Sequence, residues 1–335
     1  MSLYRFTVLA FITFSIFTLG LVGWAFSPIT LESAEIEVVI KSQSSTLSIA
    51  HQLEENGVAV QPELFFLWAK WLQFRSKRQP QAGTYALHNG ITPHQIIEKM
   101  IRAEVVRVSI AIIEGWDFKK MREVIDRNPR LTHNTLGMTT TQLLQTIGIE
   151  QTHPEGLFFP DTYIVNAGSS DIDVFKKSYQ AMQKHLATAW QLRAPGLPYR
   201  NPYEALIIAS IIEKETGQTR DRNKIAAVFI NRMRLGMRLQ TDPTLIYGMG
   251  ADFDGNLRKK DLLTDTPYNT YTRAGLPPTP ISLPSKESLL AAVNPANTDV
   301  LYFVARGDGG SVFSSNLLDH SRAVTRFQKT PLTKP

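Results

Sequence analysis

The sequence predicts an α+β protein with a single N-terminal transmembrane helix, a small subdomain and a larger α+β domain. Three observations lead there. Residues 6–26 carry no charged side chain, a length of roughly 20 residues that suffices to cross a bilayer core as a helix. From Ile36 onward, short segments of period-two alternation are interspersed with segments of helical period. About 300 residues remain after the apolar run, enough for two domains, and 43% hydrophobic with 20% charged residues is an ordinary globular composition.

The elements follow in order. Residues 1–5 form a short cytoplasmic end and 6–26 the anchor. Secretory signals have shorter apolar cores, about 7–15 residues, so an uncleaved anchor fits better. Arg5 precedes the span and Glu32, Glu35 and Glu37 follow it. The positive-inside rule therefore puts the N-terminus in the cytoplasm and the large domain outside it, with Trp24 at the outer interface. A linker, 27–35, leads to the small subdomain, 36–104. Its Ile36–Ile40 alternates as a strand, and Leu47–Gly57 is a capped amphipathic helix. A second helix carries Leu64, Phe65, Leu67, Trp68 and Leu72, Ala82–Leu87 is a strand, and Thr92 begins a helix through Met100. Phe65, Phe66, Trp68 and Trp71 are expected to form this subdomain's own core, and Arg75–Arg78 a solvated loop.

The larger domain is expected over 105–328. A strand runs from Val105 to Ile113, and Glu114-Gly115-Trp116 introduces a helix containing Met121 and Val124. Asn201-Pro202 supplies a cap and first turn for the helix Tyr203–Ile212, which is apolar all round and so reads as buried. Another helix, 220–235, places Ile225, Val228 and Phe229 on one face, with Gly236 as its C-terminal cap. The tail, 329–335, has two prolines and no periodicity and is expected to be disordered.

Chemistry is concentrated where the apolar helix ends, at Glu213-Lys214-Glu215-Thr216. An acid on such a helix must find a partner or keep its proton, because an ionised carboxylate is costly to desolvate. A carboxylic acid still protonated near neutral pH is a general acid. Two positions on a helix are about 200° apart, so Glu213 and Glu215 cannot share one cleft. Glu215 stacks over Ile211 and Ile208 and Glu213 over Ala209 and Leu206, so periodicity does not choose between them. A helix end that simply turns charged as it reaches solvent would look the same.

The run Ala209 to Gly250, followed by Thr266-Pro267-Tyr268-Asn269-Thr270-Tyr271 and Gly275-Leu276-Pro277-Pro278, resembles the catalytic core of the endolytic murein transglycosylases, the MltG or YceG-like family. Glu155-Gly156-Leu157-Phe158-Phe159-Pro160-Asp161-Thr162-Tyr163 matches as well, as do Leu301–Ala305 and Phe313-Ser314-Ser315-Asn316. The resemblance implies that Glu215 is the catalytic acid. It implies cleavage of the β-1,4 bond between N-acetylmuramic acid and N-acetylglucosamine within peptidoglycan strands, leaving 1,6-anhydromuramoyl ends. It makes 105–328 the catalytic domain, and the layout of 36–104 resembles the family's LysM-like subdomain. Asn231, Arg232, Arg238, Gln240, Thr241 and Asp242 offer donors and acceptors suited to amino sugars. Tyr268, Asn269 and Tyr271 lie in a Pro-flanked segment where aromatic faces suit sugar rings or pack a turn.

Three other readings are weighed, of which an aminodeoxychorismate lyase-like one, with cytoplasmic pyridoxal-phosphate chemistry on a Schiff-base Lys, is set aside by the expected topology. A hydrolytic muramidase needs a second carboxylate, for which Asp161, Asp242 or Glu155 could serve. A membrane-anchored glycan-binding protein would need no acid at all. The expected partners are peptidoglycan glycan strands, the inner membrane, and membrane-bound peptidoglycan synthases whose nascent strands an anchored enzyme could trim. A net charge of +6 spread over 335 residues is no nucleic-acid signature. The chain has no cysteine, so it holds no disulfide and no thiolate metal site. Its seven histidines form no His-Glu-x-x-His arrangement. No metal or organic cofactor is implied.

Overall fold

The computed structural model describes residues 2–329, a mixed α/β chain that divides into two compact units. Apart from Lys329, the expected disordered tail lies outside the described residues.

Among the described residues, the first unit comprises 2–109 with 129–132 and 164–169. It begins with α1 (Ser2–Ala25), an apolar helix long enough to cross a membrane over Tyr4–Ala25. Then come β1 (Glu35–Ile40), α2 (Thr46–Glu55), α3 (Pro62–Ser76), β2 (Gly83–His88) and α4 (Pro93–Ile101). The strands pair antiparallel from Glu35↔His88 to Ile40↔Gly83. Period-two alternation turns Val38 and Ile40 of β1 inward while Glu37 and Val39 face out. Ser45 caps α2, and Thr92 with Gln95 forms a capping box on α4. These elements enclose Leu53, Phe65, Trp68, Tyr85, Leu87, Ile97 and Met100. Trp71, expected in that core, is instead 44% exposed. Phe65, Trp68 and Leu72 already fill the inward stripe of α3, and Trp71 falls on its outer face.

Among the described residues, the second unit comprises 110–128, 133–163 and 170–329. The strands β3 (Arg107–Ala111) and β4 (Thr162–Asn166) pair with one another, and the division between units falls within both. Two later pieces of chain, 129–132 and 164–169, return to the first unit. The helices are α5 (Phe118–Asp126), α6 (Thr140–Ile147), α7 (Asp171–Gln191), α8 (Pro202–Glu215), α9 (Thr219–Arg234), α10 (Asp242–Met249), α11 (Lys259–Leu263), α12 (Lys286–Val293) and α13 (Leu317–Val324). Between α12 and α13 lies an antiparallel hairpin, β5 (Tyr302–Ala305) and β6 (Ser311–Ser314). The centre of the unit is α8, on which α7, α9, α10 and α12 all pack. Every residue from Glu204 to Ile212 is buried, as an apolar helix without a polar face requires.

Candidate active site

The Asn201 side chain accepts the Glu204 N–H at 3.1 Å to start α8, with Pro202 in the first turn. Thirteen residues later the helix ends at Glu215, with Thr216 extended beyond it. Because α8 is enclosed, its acidic C-terminal residues enter packed surroundings instead of open solvent. The two glutamates diverge as helical geometry demands. Glu213 Oε2 accepts the Ser285 N–H at 2.9 Å and the Ser285 hydroxyl, while its Oε1 lies 3.7 Å from the Arg222 guanidinium. Both of those charged side chains are buried, so Glu213 ties α8 to the start of α12 and leaves Glu215 for the cleft.

Glu215 lines a cleft of about 560 Å³ together with Arg232, Gln240, Thr241, Asp242 and Tyr271. Its carboxyl is pushed up to about 7, chiefly by burial. The Thr241 hydrogen bond opposes that shift, the Asp242 charge adds to it, and Arg232 opposes it. The Thr241 hydroxyl donates to Glu215 Oε1. Thr241 is 2% exposed and is held by its own N–H, which donates to Thr270 Oγ1 at 3.1 Å, and by its carbonyl, which accepts the Thr244 hydroxyl at 2.8 Å. Just before it, Gln240 adopts φ +50° with its N–H on the Thr270 carbonyl. That left-handed conformation is uncommon for a residue with a Cβ, and it reverses the chain so that Thr241 meets Glu215.

Arg232 also lines the cleft, 7% exposed, donating from Nε to the Leu301 carbonyl at 2.7 Å and from Nη1 to the Leu239 carbonyl at 2.6 Å. The Tyr271 hydroxyl donates to Asp242 Oδ1 at 2.5 Å. The other four residues picked from the sequence lie outside the cleft lining. Asn231 Nδ2 donates to the carbonyls of Thr298 and Val300, holding the approach to β5. Asn269 is fully buried, its Nδ2 donating to the carbonyls of Asp261, Leu262 and Thr264. Arg238 donates to the Tyr271 carbonyl at 3.1 Å. Tyr268 shares a hydrogen bond with Thr279 and packs edge-on against Tyr247.

The sequence reading missed Tyr302 and His320, which complete the cleft. Their rings stack at 5.1 Å with an interplanar angle of 22°, and the Arg232 guanidinium lies 5.2 Å from the Tyr302 ring on a cation–π contact. Burial, aided by the Arg232 charge, lowers the His320 pKa. Tyr302 belonged to a segment already singled out, but nothing in its spacing tied it to His320 on α13.

Glu155 occupies a separate cleft of about 670 Å³ with Asp117, Lys119, Lys214, Ile246 and Tyr247. It is 3% exposed and accepts the Phe118 N–H at 3.1 and 3.2 Å and the Tyr247 hydroxyl at 3.1 Å. Burial raises its carboxyl to about 7 despite these donors. It anchors the N-terminus of α5.

Comparison with known proteins places the chain among relatives of one family. Residues 38–326 match the model of the YceG-like family. A Bacillus subtilis protein named endolytic murein transglycosylase is 31% identical over 87% of this chain and 84% of its own length. One of the same name from Streptococcus pneumoniae is 26% identical over 89% of this chain and 59% of its own. A crystal structure of a yceG-like protein from Listeria monocytogenes superposes with a TM-score of 0.54 at 29% identity, covering 86% of this chain and 98% of that one. The chain belongs to the YceG-like family.

Proposed function

We propose that the chain is an endolytic peptidoglycan transglycosylase, a lyase that cuts the β-1,4 bond between N-acetylmuramic acid and N-acetylglucosamine and leaves a 1,6-anhydromuramoyl end. The observation that carries the reading is Glu215: one carboxyl, raised to about 7 by burial, at the floor of a polar cleft. Protonated, it donates to the glycosidic oxygen as the bond to C1 breaks. The resulting carboxylate, steadied by the Thr241 hydroxyl, takes the proton of the C6 hydroxyl, whose oxygen closes on C1. The proton count balances and no water is consumed, so a second catalytic carboxylate is unnecessary.

The surroundings suit this cycle. A single group must be acid and then base, which a pKa near working pH favours. Arg232, Gln240, Asp242 and Tyr271 present donors and acceptors to the amide and hydroxyl groups of the sugars, and the Tyr302–His320 stack offers a flat wall for a ring. Asn231, Arg238, Tyr268 and Asn269 act one step back, fixing the loops that carry those groups. Hydrolysis is less well supported. Of the three carboxylates considered for it, Asp242 shares the cleft but is engaged by the Tyr271 hydroxyl, and Glu155 belongs to another cleft. Asp161 accepts the N–H of its neighbour Thr162 and is no part of the Glu215 lining.

The placement we infer is a single-pass protein of the inner (cytoplasmic) membrane, anchored by α1, with its N-terminus in the cytoplasm and residues 105–328 outside. A LysM-like role for 36–104, with glycan contact there, belongs to the same reading. So does a working partnership with membrane-bound peptidoglycan synthases. The test is the mass of muropeptides released from purified sacculi by the full-length protein. Products lighter by one water than the hydrolytic ones confirm the lyase, and reducing ends overturn it.

A further inference from the structure

The outward face of α3 carries an exposed apolar stripe. Leu67, Trp71 and Phe74, at i, i+4 and i+7, are 44%, 44% and 86% exposed. Basic side chains flank it. The Lys70 ammonium lies 5.5 Å from the Phe66 ring and the Arg75 guanidinium 5.6 Å from the Trp71 ring, with Lys77 and Arg78 exposed just beyond the helix. The acidic neighbour Glu98 is paired with Arg102 at 3.1 Å. Exposed Leu, Trp and Phe side chains beside Lys and Arg suit a membrane interface, where the apolar groups enter and the basic ones meet anionic headgroups.

The position of α3 points the same way. The last turns of α1 pack on α3, and a groove of about 870 Å³ is lined jointly by Thr18, Leu21 and Val22 of α1 and by Trp68, Trp71 and Arg75 of α3. Thr18 lies seven residues before the end of α1 at Ala25, about 10 Å along the helix axis. The apolar span is 22 residues, or about 33 Å, against a hydrocarbon core of about 30 Å. A bilayer crossed by α1 must therefore hold Thr18 within its apolar depth, and the groove that Thr18 shares with Trp68 and Trp71 of α3 opens beside the same leaflet.

We propose that α3 is a second membrane contact. Leu67, Trp71 and Phe74 enter the leaflet at the C-terminal end of α1, and Lys70, Arg75, Lys77 and Arg78 bind anionic phospholipid headgroups. The inference rests on α1 being an anchor. It gives the first unit a fixed seat on the bilayer in place of a free tether.

The chain has no cysteine, so single cysteines report cleanly. Full-length Phe74→Cys and Phe14→Cys proteins, each labelled with a polarity-sensitive fluorophore, are reconstituted into phosphatidylcholine vesicles with and without phosphatidylglycerol. Phe14 and Phe74 are both exposed within the protein, so neither change opens a core. Expected is a blue-shifted label at both positions, quenched by brominated lipid and shielded from aqueous iodide. The Phe74 signal should strengthen with phosphatidylglycerol and weaken when Arg75→Glu and Arg78→Glu are added. A Phe14 label quenched by lipid beside a Phe74 label open to iodide overturns the α3 contact while leaving the anchor intact. Both labels open to iodide overturn the anchor and the contact with it.

Discussion

The Thr241 hydroxyl donates to the Glu215 carboxylate across the junction between the end of α8 and the start of α10. The bond sets both the orientation of the acid and the balance of its titration. Burial holds the proton on, and the hydroxyl favours its release.

Removing that hydroxyl with Thr241→Val should raise the Glu215 pKa, because only the ionised form loses a donor. A hydrogen bond contributes about 0.5–1.5 kcal/mol, equivalent to a shift of about one pH unit or less. The basic limb of the pH–rate profile, set in the wild type by loss of the acid above about 7, should move to higher pH by that amount. A profile measured on both proteins with the same strands checks this.

Glu155 makes a prediction about stability instead of rate. Its folded pKa, about 7, lies above its ordinary value of 4.5. Between those values the native state binds more protons than the unfolded one, so stability declines as pH rises through the window. The loss is on the order of a few kcal/mol. Glu155→Gln should melt at a temperature that varies less between pH 5 and pH 8, and thermal scans at a series of pH values read this directly.

Glu213 and Ser285 act on folding. The Ser285 hydroxyl caps α12 by accepting the Ser288 N–H at 3.2 Å while donating to Glu213. Ser285→Ala should cost about 0.5–2 kcal/mol, as lost N-caps do. Glu213→Gln should also lower the melting temperature, because it leaves buried Arg222 without its counter-charge. Neither variant should shift the pH–rate profile, and a shift with Glu213→Gln would assign it a part in the chemistry.

Gly156 has φ +76°, and a Cβ there would meet the Pro280 ring at 2.4 Å. Gly156→Ala combines a left-handed backbone penalty with overpacking of typically 1–3 kcal/mol. It should yield a protein with a lower melting temperature, measured by calorimetry, and the position is one where even the smallest side chain fails.

Much of this was legible in the residues. The cap at Asn201-Pro202 and the unbroken apolar run located α8 and its burial, and the 200° between Glu213 and Glu215 separated their surroundings. Which glutamate enters the cleft was not legible from helical period, because it depends on Ser285, Arg222 and Thr241 arriving from other elements; the family resemblance is what pointed to Glu215. The partners of Asn269 and Asn231 were not legible either. A polar side chain suits a sugar equally well in sequence, and here both amides donate to backbone carbonyls, those of Asp261, Leu262 and Thr264 and those of Thr298 and Val300. The Tyr302–His320 stack depends on a hairpin and a helix meeting, which no local period records. The outward turn of Trp71 followed from helical phase, yet its aromatic character read as core.

The central claim is that Glu215 alone is both acid and base. Purified sacculi digested with full-length wild type and Glu215→Gln, followed by weighing of the soluble muropeptides, test it most directly. Anhydromuramoyl ends from the wild type, with a rate about 10²- to 10⁴-fold lower in the variant at an unchanged circular-dichroism spectrum, are predicted. Anhydromuramoyl products released by Glu215→Gln at near wild-type rate would contradict the account.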